Sequence, residues 1–191
     1  GPSDQTKGLP QPQLQLVPDQ NRELLIDLPK PKDTPRLHLP LAVAIDRRSS
    51  IRSYSAAPLA IAELSWLLWA TQGVREVILR QATLRTVPSA GARHALETYL
   101  LVNRVAGLKP GLYRFVAIGH QLLEMERPQE PAPLIRGACL EQEMVTDSAV
   151  TFIWTAVIKR MTWRYGERGY RYVFLDAGHA CQNLYLAAQD V

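Results

Sequence analysis

Four short stretches of this 191-residue chain carry side chains whose types and spacing suit chemistry. The first is Arg47-Arg48-Ser49-Ser50-Ile51-Arg52. Three guanidiniums and two hydroxyls within six residues suit a phosphate, because guanidinium forks pair with its oxygens and hydroxyls fill the remaining positions. A solvated basic helix end is the plainer alternative, since cations complement that end of the dipole. The second is the elbow Pro88-Ser89-Ala90-Gly91, which leads past Arg93 and His94 into an apolar run. Proline fixes one dihedral, serine offers a hydroxyl, and alanine and glycine leave the backbone bare. A planar ring could lie against such a segment and take hydrogen bonds from its N–H groups. An ordinary turn before a strand would read the same way.

The third stretch, WRYGERGYRY at 163–172, interleaves aromatics with arginines. Stacking and cation–π contacts of this kind line ligand clefts, interfaces and single-strand nucleic-acid surfaces, and a capped junction between helices fits as well. The fourth is Asp176, His179 and Asn183. On a helix these lie at i, i+3 and i+7 and share a face. Asp176 could orient His179 for catalysis, but a polar stripe where two helices meet, within the chain or across a dimer, is the preferred reading.

Other chemistries find little support. There is no G-x-S-x-G, no HExxH, no GxGxxG and no P-loop. Cys139 and Cys181 form no CxxC, and with four scattered histidines they suggest no zinc site. A formal net charge of +4 suits a phosphorylated ligand. The basic residues do not cluster as a nucleic-acid footprint requires, so no nucleic-acid partner is expected. Reduced cysteines, the lack of an 18-residue apolar run and the lack of an apolar signal core lead to the expectation of a cytoplasmic protein with no membrane partner.

Elements must position these groups. Residues 1–40 contain Pro10, Pro12, Pro18, Pro29, Pro31, Pro35 and Pro40, too many for a long helix or a central strand. They read as an extended arm, either a disordered leader or a segment strapped over the body or over a partner. The apolar residues of LQLVP and RELLIDLP favour strapping. The body, 41–191, starts with a helix, LAVAIDRRSSIRSYS, that runs out at the basic cluster. An amphipathic helix follows in LAIAELSWLLWATQGV, with Gly73 as its stop. After the elbow, ALETYLLVN reads as a strand, and GLKPGLYRFVAIGHQLLEME reads as strands broken at Lys109-Pro110-Gly111 and Gly119. APLIRGACLEQEMV reads as one helix, AVTFIWTAV as a buried strand and YRYVFLDAGHACQNLYLAA as a long helix. Strands separated by helices give an α+β or α/β domain around a buried sheet.

Taken in order, RRSSIRSY, PLAIAELSWLLWATQG, RTVPSAGARHALETYLLVNRVAGLKPGLYRF and WRYGERGYRYVFLDAGHACQNLYLAA resemble the nitroreductase superfamily. Within it they are most similar to the SagB-type dehydrogenases, which include the azoline oxidases of peptide natural-product pathways. The resemblance runs roughly from Leu41 to Ala188. It implies an α+β fold with a mainly antiparallel central sheet flanked by helices, and an intertwined homodimer with FMN at the subunit interface. NADH or NADPH would be the electron donor and a small organic molecule the acceptor. Carried over by motif, Arg48 and Ser50 would hold the FMN phosphate, Arg52 would reach the pyrimidine side, and Ser49 lies between them. Pro88, Ser89, Ala90 and Gly91 match the segment beside the isoalloxazine, kept bare for the ring. Arg93, and Gln142 after the middle helix, are further flavin contacts by the same likeness. No residue is assigned as acid, base or metal ligand, because the flavin carries the hydride and the protein supplies orientation and charge. His94 reads as lining of the cleft or as support behind it.

Two departures from the family pattern stand out. Azoline oxidases carry Lys-Tyr where this chain has Arg164-Tyr165, and arginine, with a pKa above ~12, is a poor base. That favours nitroreductase chemistry over azoline oxidation, with a non-catalytic flavin-binding module as another alternative. Family members also continue past the long helix with a further strand and further FMN contacts. The sequence stops at LAAQDV, so a C-terminal part is expected to be missing.

Overall fold

The apolar run after the elbow forms strand β4 (Leu96–Val102), which is buried at six of its seven positions. Its neighbours are β5 (Gly111–Val116) and β7 (Val150–Ala156), and β6 (Gln121–Met125) extends the sheet beyond β5. The computed structural model describes residues 1–16, 25–34, 38–78, 82–126 and 130–191. Among these, a short strand β1 (Leu25–Asp27) adds the far edge, giving the order β1-β6-β5-β4-β7. Every pairing in this sheet is antiparallel, so the expected α+β architecture holds.

Alternation sets what each face needs. Leu96, Leu100 and Val102 point to one side with Tyr113 and Phe115. Helix α2 (Ile61–Gln72) covers them with Leu64 and Leu68, and α5 (Ile158–Tyr165) and α6 (Gly169–Ala187) close the start of β4 with Met161, Val173 and Ala180. Glu97, Tyr99 and Arg114 point to the opposite face, where Glu97 and Arg114 meet the N-terminal arm. Trp163 Nε1 donates to Leu9 O at 2.8 Å, Arg160 Nε to Gln13 O at 2.7 Å, and Arg114 to Leu16 O at 2.9 Å. Leu16 N–H donates to Glu97 Oε1 at 3.0 Å, and Ile118 N–H to Gln15 Oε1 at 2.8 Å. Lys159 pairs with Asp4. The described part of the arm before residue 17 is therefore strapped across the sheet. Pro18, Pro35 and parts of LQLVP and RELLIDLP lie outside the described residues.

The structure departs from the sequence expectation in five places. Strand β7, expected to be buried, is the sheet's other edge, and none of its seven positions is fully buried. Val74–Ile78 and Ala82–Arg85 pair as a hairpin, β2 and β3, after Gly73. The single helix expected after β6 is two, α3 (Pro131–Ala138) and α4 (Met144–Asp147), because Leu140 and Glu141 both adopt φ of 58° and interrupt the helical turn. A separate helix, α5, precedes the long one, and Gly166 at φ 56° makes the break. Finally, the proline-rich arm contributes β1, an edge strand where proline nearby is tolerated. The first expected helix is α1 (Leu41–Arg47), which ends where the basic cluster begins.

Candidate functional site

Backbone strain marks the elbow. Gly91 lies at φ 58°, and two residues with side chains follow it into the left-handed region, Ala92 at 54° and His94 at 43°. Such conformations persist only where the surroundings hold them. Three sets of contacts do so. From α6, Asp176 Oδ1 accepts the Ala90 N–H at 3.3 Å and the carboxyl is bonded by the Ser89 hydroxyl. Within the loop, Ser89 Oγ accepts the His94 N–H at 2.9 Å, and Arg93 Nε donates to Gly91 O at 2.9 Å. From α5, a Cβ on Gly91 would fall 2.5 Å from the Tyr165 hydroxyl and 2.9 Å from Arg164 Cδ. The glycine is thus required by the α5 side chains packed on it as well as by its φ. The WRY segment and the elbow, separate in sequence, form one unit: the Arg93 guanidinium lies 5.6 Å from the Trp163 ring centre, and Arg164 5.7 Å from that of Tyr165.

Beneath the elbow lies an excess of buried cations. Arg85, Arg93 and Arg160 surround His94, and the buried carboxylate beside them is Glu97, 2.5 Å from Arg160. Burial, then the charge of Arg85, pulls the His94 imidazole down to about 3, so it is neutral at physiological pH and cannot act as an acid there. Burial likewise lowers Arg85 to about 10, still protonated. Arg85 is held by Gln72 and Thr83. Burial pushes the Asp176 carboxyl up, against the Ser89 and Ala90 hydrogen bonds and the charge of His179.

The basic cluster follows α1, whose last turn is closed by the Arg48 N–H on Ala44 O. Arg48 is half-buried and acts on Tyr185 of α6, whose phenol is raised first by Cys181 and lowered by the Arg48 charge. Ser49, Ser50 and Arg52 are exposed, and their side chains make no hydrogen bond among the described residues. Helix α6 therefore carries the elbow at Asp176 and the basic cluster at Tyr185, about 14 Å apart along its axis. Pro88 is exposed and Ser89, Ala90 and Gly91 are half-buried, so a ligand can reach them. Gln142 lies exposed in the turn between α3 and α4 and is joined to neither group by a hydrogen bond. A cavity of about 940 Å³ between β4–β6 and α3 contains none of the residues expected at the site.

The polar stripe of α6 divides. Asn183 Nδ2 donates to Ala70 O on α2 at 2.9 Å, the helix–helix contact expected. His179 is exposed, and Asp176 turns to the elbow. Sequence reasoning missed that destination, and it missed the Glu97–Arg160 pair. A signal existed in both cases: Asp176 falls in register with the buried Val173 and Ala180, and Glu97 lies inside an apolar strand. Among the described residues no group of three or more His, Cys, Asp or Glu could hold a metal ion.

Comparison with known proteins gives the following. Residues 45–191 match the family model described as Nitroreductase family. The chain is 35% identical over 165 residues to a protein of Methanocaldococcus jannaschii named as a nitroreductase, covering 83% of this chain and 81% of that one. It is 33% identical over 109 residues to the trifolitoxin-processing protein TfxB of Rhizobium leguminosarum bv. trifolii, covering 55% of this chain and 29% of that one. Among solved structures, a nitroreductase-named protein of Anabaena variabilis superposes with a TM-score of 0.65 at 32% identity, over 78% of this chain and 30% of that chain. The chain thus spans less than a third of the Rhizobium and Anabaena proteins.

Proposed function

This chain belongs to the nitroreductase family, and from that premise we propose that it is an FMN-dependent oxidoreductase. In this reading it works as a cytoplasmic homodimer, with NADH or NADPH as donor and a small organic molecule as acceptor. The observation that carries the proposal is the elbow: a bare, strained backbone segment clamped over buried guanidiniums that outnumber the carboxylates beside them. A ring that gains negative charge on reduction is stabilised by fixed positive charge in a site that excludes water.

The residues present fit FMN. The Gly91 N–H makes no hydrogen bond among the described residues and is available to a ring edge. Arg48, Ser49 and Ser50 present a guanidinium and two hydroxyls to a phosphate, with Arg48 steadied beside Tyr185, and Arg52 would reach the pyrimidine side of the ring. Bound FMN would supply the hydride-transferring centre. Arg93, Arg85 and Arg160 set the field beneath it, and position 164 carries arginine, a residue type unsuited to act as a base. His94, neutral among them, adds no charge to that field.

The first test is the absorption spectrum of the purified protein, followed by anaerobic reduction with each nicotinamide. A colourless protein that cannot be reconstituted with FMN would overturn the proposal. Bound FMN that neither nicotinamide reduces would identify a non-catalytic flavin module. Arg48→Ala should weaken FMN binding at least about tenfold, the loss of one charge-assisted phosphate contact. An unchanged dissociation constant would remove Arg48 from the site. The second reading, a SagB-type azoline dehydrogenase, is supported by the likeness to TfxB and by Tyr165, which stands where the azoline oxidases carry tyrosine. Turnover of a thiazoline-containing peptide to the thiazole, absent with simple nitro-aromatics, would favour it.

A further inference from the structure

Asp176 lies on the buried face of α6 and is 6% exposed, yet it faces a loop rather than another helix. Burying a carboxylate is costly unless donors meet it. Two do, the Ala90 N–H and the Ser89 hydroxyl, both on its elbow side, while Oδ2 has no partner among the described residues. A hydroxyl has one proton. Ser89 gives that proton to Asp176 and accepts from the His94 N–H. Two of the donors that the elbow could offer a ligand are therefore turned inward, onto α6. The Gly91 N–H, between them and Arg93, makes no hydrogen bond among the described residues, nor does the Ser89 N–H.

The same contacts hold a strained loop. Ala92 and His94, at φ of 54° and 43°, sit in a region that costs residues with side chains on the order of 1–3 kcal/mol each. Arg93 and the α5 side chains grip the elbow from one side, and Asp176 grips it from the other.

We propose that Asp176 is a positioning residue: by drawing Ser89 and Ala90 onto α6 it fixes the elbow in the conformation that presents the Gly91 N–H to a planar ligand edge. This rests on the flavin reading above, with FMN as that ligand. Asp176 need not touch FMN and takes no part in hydride transfer. The chemistry requires an acceptor at this place, and an amide carbonyl serves nearly as well as a carboxylate.

The test compares Asp176→Leu, Asp176→Ala and Asp176→Asn by two readouts: amide hydrogen exchange of residues 89–94 in the flavin-free protein, and FMN titration with the spectrum of the bound flavin. Asp176→Leu removes the acceptor while keeping the buried face apolar, so it folds even where the alanine variant does not. It should speed elbow exchange and weaken FMN binding by about 10- to 100-fold, with the bound-flavin bands losing their fine structure. Asp176→Asn should return both readouts to within about threefold of wild type. Unchanged elbow exchange in Asp176→Leu overturns the proposal. So does faster exchange with unchanged FMN affinity, which reduces Asp176 to a structural brace. A wild-type protein that binds no FMN sinks the flavin reading instead. The exchange measurement then decides by itself whether Asp176 holds the elbow.

Discussion

His94 shows what burial does to a single residue here. The unfolded chain takes a proton on this imidazole near 6.5, and the folded chain only near 3. Its contribution to stability is complete above 6.5 and is lost as pH falls through that window, because the unfolded state binds the proton first. At pH 5 the loss is about 2 kcal/mol. Asp176, raised above its ordinary 3.8, has the opposite sign: its share of stability falls as pH rises from there through the raised value. Melting temperatures from pH 7 down to pH 5 should therefore decline, and His94→Gln should flatten the decline; an unaltered slope in that variant would mean that His94 is solvated. At this scale the sequence was partly legible. Gly91 could be read as a position that needs glycine, and the arginine–serine cluster as a phosphate grip. The partner of Gly91 could not be read, because Tyr165 lies on a helix more than seventy residues away and only the fold brings it within reach. Nor could the target of Asp176, which is 86 residues distant from Ala90.

Elements were legible where one periodicity dominated. Helix α2 and strand β4 declare themselves because each buries an apolar stripe or run; β7 was legible as a strand from its β-branched apolar run, but not as the half-buried edge that it is. The β2–β3 hairpin was not, because β2 exposes its three central residues and so shows no alternation. Helix α5 was hidden because its buried Met161 and Trp163 stand among Lys159, Arg160 and Arg164. That helix is also where the N-terminal strap and the elbow meet. Trp163 gives its indole N–H to Leu9 on one side and its ring face to Arg93 on the other, and Arg160 binds Gln13, Glu97 and His94 O together. Trp163→Phe keeps a ring near Arg93, deletes the hydrogen bond to the strap and removes part of a buried ring. The expected outcome is a loss of at least about 1 kcal/mol and faster proteolysis or amide exchange greatest at residues 3–16. Exchange that rises equally throughout the sheet would mean that strap and body unfold as one unit.

At the scale of the whole molecule, α6 has two faces with different tasks. Its inner face carries the elbow through Asp176 and touches α2 through Asn183. Its outer face presents Tyr170, Phe174, Leu175 and Tyr185 to solvent around Gly178, where an added Cβ would meet open space, and Phe174 is 78% exposed. Leu41 and Ile45 of α1 add further exposed apolar surface close to the same helix. An aromatic patch of this kind marks an interaction surface, and a glycine at its centre lets a second helix approach closely. A second copy of the chain is the partner that the homodimer reading requires. Such a dimer would bury the outer face of the helix whose inner face supports the elbow, and would place the basic cluster, next to Tyr185, at its margin. Assembly and flavin binding would then be coupled. Phe174→Arg sets a charge in the middle of that interface and removes an apolar contribution of about 1.5–3 kcal/mol per side chain, while leaving the inner face of α6 untouched. Light scattering coupled to gel filtration should give twice 21.4 kDa for the wild type and 21.4 kDa for the variant. FMN should bind the variant more weakly although no predicted flavin contact has changed. A monomeric wild type, or a variant that stays dimeric, would move the interface elsewhere. A monomeric variant with wild-type FMN affinity would separate flavin binding from assembly.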